Sequence, residues 1–124
     1  MIARRFRIFV LIAAAMSLVG CGKQYEAENK VKDFLDENMI VKDYSVDFQK
    51  MDSTAHINDS IISRMKDAAR ENKLFKKDIN YWTGENKGKH VYLQTKIYVG
   101  KDTVTHTFYF DTHLSGVMAF KSNG

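Results

Sequence analysis

The chain has 124 residues, a single cysteine, no proline and a formal net charge of +4. Three of its 19 basic residues, Arg4, Arg5 and Arg7, stand in the first twenty positions, leaving 16 against 15 acidic residues in the remainder. A near-neutral body lacks the electrostatic footprint of a nucleic-acid binder. One cysteine excludes disulfides and cysteine-based zinc or iron–sulfur sites.

The first twenty residues follow secretory grammar: a cationic start, an apolar run of 12 residues from Ile8 to Val19, and small residues at Ser17 and Gly20. A membrane-spanning helix needs about 20 apolar residues, so this run is too short. It closes on Leu18-Val19-Gly20-Cys21, which resembles the lipobox of bacterial lipoproteins: a branched apolar residue at the third position before cysteine, small residues just before it, then the cysteine. The resemblance implies removal of residues 1–20 as a signal peptide by cleavage after Gly20. Cys21 would then be the lipid-attachment residue, acylated on its sulfur and its amine, which commits the only thiol. The implied location is the cell envelope, with the membrane as a partner through Cys21. Gly22, standing where an aspartate would retain the protein at the inner membrane, implies the outer membrane in a two-membrane bacterium of enteric type. Residues 21–24 read as a short tether, about 10–14 Å if extended. Residues 25–124 are then long enough for one domain with one core, held close to the bilayer.

Within that domain, residues 25–39 carry Ala27, Val31, Phe34, Leu35 and Met39 at helical spacing. Residues 43–50 alternate, with Tyr44, Val46 and Phe48 on one side, as in a half-buried strand. Asn58 suits a helix N-cap, with Ile57 and Ile62 as a hydrophobic staple; the inner face would be Ile61, Ile62, Met65, Ala68 and Ala69. Residues 79–83 read as a short strand before the turn-rich stretch 84–88. Residues 90–99 and 103–111 alternate strictly about Gly100-Lys101, which suits a two-residue type II′ turn. That register sets Ile97 against Val104, Leu93 against Phe108, Val91 against Phe110 and Thr95 against His106. A last strand is expected over 117–121, with its register open.

These elements predict an α+β fold with two helices packed on one face of an antiparallel sheet of four to five strands, in the order α-β-α-(β)-β-β-β. The element order is broadly similar to cystatin-like and NTF2-like folds, in which a curved sheet wraps a helix.

No catalytic constellation emerges, and no cofactor is expected. The stretch 84–90 has one residue too few between its glycines for a phosphate loop, and His90 stands where Ser or Thr must bind magnesium. Asp33, Asp36 and Glu37 read as solvated helix charges. His106, Asp111 and His113 have metal-ligand chemistry, but His113 lies in a turn beyond the strand end, so no metal site is expected. His106 and Thr95 are the polar residues of the hairpin's apolar face. They read either as a core pair hydrogen-bonded to each other or as the lining of a ligand pocket between sheet and helices. Tyr92, Tyr98 and Tyr109 share the opposite face, which has the composition of a protein-recognition surface, and Trp82 would extend it if exposed. The function expected is that of a non-enzymatic module binding a protein or another envelope component. The alternative is a small-ligand carrier or sensor using the Thr95/His106 pocket.

Overall fold

The computed structural model describes the backbone of residues 7–85 and 88–123, and side chains for residues 22–85 and 88–123. Arg4, Arg5, Asn86, Lys87 and the side chains of Leu18, Val19 and Cys21 lie outside the described residues. The elements are helix α1 (Arg7–Asn38), strands β1 (Ser45–Phe48) and β2 (Asp52–Thr54), helix α2 (Asp59–Ala69), and strands β3 (His90–Val99), β4 (Asp102–Phe110) and β5 (Val117–Ser122). The class is α+β, as the patterning predicts.

Helix α1 starts well before residue 25 and runs unbroken through residues 21–24. The stretch expected as an extended tether is therefore helical, and four helical residues advance about 6 Å rather than 10–14 Å. Strong helix formers follow Gly22, and no proline interrupts them. No described helix is long and apolar enough to cross a membrane. Ala27, Val31, Phe34 and Leu35 form the buried stripe of α1, at the predicted spacing, and Met39 continues it one residue past the helix end, bridged to Phe75. Asn38 joins them, fully buried: its amide donates to the Phe34 carbonyl (2.9 Å) and its side-chain oxygen accepts the Asn80 N–H (2.9 Å).

The sheet runs β1-β3-β4-β5, with β2 continuing the β1 edge against β3. Strand β2 is not anticipated by the sequence pattern. Residues 49–51 stand opposite only Leu93 and Gln94, because Phe48 pairs with Thr95 and Asp52 with Tyr92. This extra residue makes a bulge, which interrupts the ladder and leaves backbone groups to be satisfied elsewhere. Gln24 of α1 satisfies two of them. Its side chain accepts the Met51 N–H (2.8 Å) and donates to the Gln49 carbonyl (2.9 Å).

The β3–β4 hairpin has the predicted register throughout, from Val91↔Phe110 to Val99↔Asp102. Gly100 adopts φ +60° while Lys101 stays out of the left-handed region, as a type II′ turn requires. Strand β5 then pairs with β4, with Phe108 against Phe120 and a bulge that leaves Met118 without a partner. Phe34 sits at the centre of the core. Its ring lies 5.8 Å from Phe108, 5.9 Å from Phe120 and 5.7 Å from Tyr81.

Two expectations are corrected. Residues 79–83 form no strand; the segment contributes one bond to the sheet edge, from the Trp82 N–H to the Val117 carbonyl (2.9 Å). The strand placed there is β2, which comes before α2. The helices also do not share one face. Ile62 and Met65 of α2 pack with Tyr109, Met118 and Ala119, on the side opposite Phe108 and Phe120, while Ala69 reaches the first core around the β5 edge. The bulge at Met118 turns an additional apolar side chain toward that outer face, giving α2 a surface to bury against. Asn58 caps α2 as predicted, accepting the Ile61 N–H (2.9 Å). Ala68, expected on the inner face, is exposed.

Candidate functional site

His106 and Thr95 face each other across the hairpin, at 1% and 0% exposure. They do not bond to each other. The His106 Nδ1–H donates to the Thr105 carbonyl (3.0 Å), which leaves Nε2 to accept from the Asn72 amide (3.2 Å). This pairing defines a neutral imidazole stacked on Phe120, with ring centroids 5.2 Å apart. Burial pulls the His106 pKa below its ordinary value, opposed by the bond to Thr105. The Thr95 hydroxyl has no partner among the described residues.

Asn72, just beyond the end of α2, is the link from this buried histidine to the surface. It borders a groove of about 440 Å³ whose walls are Ile61, Arg64, Met65 and Ala68 of α2 and Phe120, Lys121 and Ser122 of β5. The helix wall follows from spacing: Ile62, Met65 and Ala69 form the buried stripe, and residues one step around the wheel overhang its flank. The strand wall follows from the ladder. The Asn123 N–H donates to the Thr105 carbonyl (2.7 Å), which makes 105/123, 107/121 and 109/119 the hydrogen-bonded pairs. By alternation, Phe120 and Ser122 turn their N–H and C=O groups away from β4, toward the groove. The groove thus combines an apolar helix flank, a sheet edge that is buried at Phe120 (1% exposed) and open at Ser122, and two cations, Arg64 and Lys121. Among the described residues, no carboxylate lines it.

Lys121 also borders a second, more polar hollow of about 390 Å³ on the outer sheet face, with Tyr92, Gln94, Thr107, Tyr109 and His56. The three tyrosines expected on one recognition surface are divided. Tyr109 is 6% exposed beneath α2, with Tyr92 beside it at a ring distance of 6.0 Å. Tyr98 stands alone near the hairpin turn, 37% exposed. Trp82 does not extend their surface; it packs into the outer cluster and lies across Gly84 and Gly116.

His106, Asp111 and His113 are not brought together. Both Asp111 carboxylate oxygens close the turn after β4, accepting from the Ser115 N–H and hydroxyl (2.6 Å each). His113 is exposed in the turn after β4, and His106 is buried at the middle of the strand. Among the described residues, no three His, Cys, Asp or Glu side chains could hold a metal ion. His90, Asp111 and His113 instead border a third hollow of about 280 Å³ beside Trp82.

Sequence patterning overlooks Asn72, Arg64 and Lys121. Each sits in an ordinary polar context, and only the packing of α2 against β5 joins them. Comparisons with protein-family models, with curated protein sequences and with solved structures return no match for this chain.

Proposed function

We propose that this chain is a bacterial envelope lipoprotein, anchored through acylated Cys21, whose domain is a non-enzymatic module that binds an extended segment of a partner protein in the α2–β5 groove. The observation carrying the binding role is the groove itself. Main-chain groups at the exposed Ser122 end of β5 can pair with an extended segment, while Ile61, Met65 and Ala68 accept its apolar side chains. Arg64 and Lys121, with no carboxylate between them among the described residues, favour a segment carrying acidic residues. The anchor rests on Leu18-Val19-Gly20-Cys21 behind a cationic and apolar leader, and three acyl chains would make it effectively permanent.

Two measurements test the reading separately. Cells expressing the full chain and fed labelled palmitate should label it, and Cys21→Ser should abolish the label; an unlabelled wild type refutes the anchor. For the groove, a photocrosslinker at Ala68 should capture a protein that Ile61→Glu releases and Tyr98→Ala retains. Equal capture by all variants removes the groove as the binding site.

A further inference from the structure

We infer that Tyr25 makes a second contact with the membrane, its ring seated among the phosphate-bearing lipid headgroups beside the anchor. This inference rests on the lipid-anchor reading and adds a surface that the anchor alone does not require.

Tyr25 is the most exposed of the large hydrophobic side chains among the described residues, at 65%. It belongs to α1 yet stands off the buried stripe that begins at Ala27. In a helix, residues four apart lie on the same face, one turn above one another. Tyr25 is therefore on the Cys21 side of α1, about 6 Å further along its axis. The headgroup layer on each side of a bilayer is about 5–8 Å thick, the difference between the full and hydrocarbon thicknesses divided between two leaflets. Acyl chains on Cys21 start at the inner boundary of that layer, so one helical turn brings Tyr25 to the headgroup level. Tyrosine favours this depth because its ring is apolar and its hydroxyl is wet.

The position is held by the fold. Gln24, next to Tyr25, is fixed by its two bonds to the β1–β2 bulge, so this turn of α1 cannot swing independently of the sheet. Lys50, exposed within that bulge, and Lys23, exposed one residue before the clamp, place two cations at the same end of the domain. Glu28, one turn on, has its carboxylate engaged by the Gln24 amide (2.9 Å). Glu26 is the exposed acid of this turn, so tyrosine insertion rather than net charge sets the contact. Held at both Cys21 and Tyr25, the domain would keep one inclination to the bilayer instead of rotating about a single point.

The test uses the full chain in its own membrane. A photocrosslinking residue is introduced by Tyr25→benzoylphenylalanine and, as a control, by Tyr98→benzoylphenylalanine. After irradiation, adducts and the acylation of Cys21 are identified by mass spectrometry. Both tyrosines are exposed, so neither replacement disturbs the core. Phospholipid adducts at position 25 and none at position 98 are expected. Protein adducts, or none, at position 25 on chains with acylated Cys21 overturn this contact and leave the anchor standing. Unmodified Cys21 overturns the anchor, and the contact with it.

Discussion

Replacing Asn38 with aspartate changes one donor into an acceptor at nearly constant volume. Asn38 is fully buried, and its amide donates to the Phe34 carbonyl while its oxygen accepts the Asn80 N–H, each at 2.9 Å. In Asn38→Asp one carboxylate oxygen keeps the Asn80 N–H, but the other meets the Phe34 carbonyl, acceptor against acceptor. An uncompensated buried charge costs about 3–5 kcal/mol, and the retained bond favours the lower end, about 3 kcal/mol. At 1.36 kcal/mol per pKa unit, that raises the new carboxyl by about two units above its unfolded value near 3.9. The folded state then binds the proton more tightly than the unfolded state. The penalty should be full above about pH 7 and shrink as pH falls through about 6, disappearing near 4. Once protonated, the carboxyl can donate to Phe34 as the amide does. Urea unfolding of variant and wild type at about pH 7 and about pH 4.5 measures the difference at each pH and cancels titrations common to both. Asn38→Ala, which strands the Asn80 N–H without adding charge, should cost about 1–3 kcal/mol at both pH values. An equal deficit for Asn38→Asp at both pH values would refute the reasoning.

Three further outcomes follow from the packing. A Cβ at Gly116 would come within 2.6 Å of the Trp82 Cβ, so Gly116→Ala should cost about 1–3 kcal/mol; it should also shift the emission of Trp82, the only tryptophan. Asn58→Ala removes the α2 cap and should cost about 0.5–2 kcal/mol in thermal or urea unfolding. Burial keeps His106 neutral where an unfolded histidine takes a proton, so its contribution to stability should be lost as pH falls below about 6.5, by at most about 1.4 kcal/mol per pH unit. His106→Phe should flatten that decline in melting temperature, and an unchanged slope would show that other groups carry it.

The hairpin was legible in the sequence up to its loop length: strict alternation on both strands, a glycine at the turn and the parity of the apolar residues reject a three-residue loop, and the structure selects two residues over four. Helix α1 was legible from Ala27, Val31, Phe34, Leu35 and Met39, and α2 from its cap. Strand β2 was not, since Asp52, Ser53 and Thr54 have no strand pattern and owe their pairing to the bulge that Gln24 closes. The side taken by α2 was equally hidden. Tyr109 reads as an outward residue and the facing of Met118 is open along the chain, and only the assembled sheet makes them a surface worth burying. The groove has no local signature because its two walls come from distant segments. His106 was legible as a buried polar residue, but its partner was not: Thr95 is opposite in register, yet Asn72 reaches the ring first.

The placement of Phe34 at the centre of the core has a consequence for how the chain reaches its native state. Its ring partners Phe108 and Phe120 belong to the last strands made, whereas α1 is the first element made. Closing so long a loop carries an entropic cost before any contact rewards it, and folds dominated by such contacts form slowly. During vectorial synthesis, the apolar stripe of α1 would emerge early and remain unsheltered until β4 and β5 followed. The interval before the C-terminal strands arrive is therefore when the nascent chain is most exposed to aggregation or proteolysis.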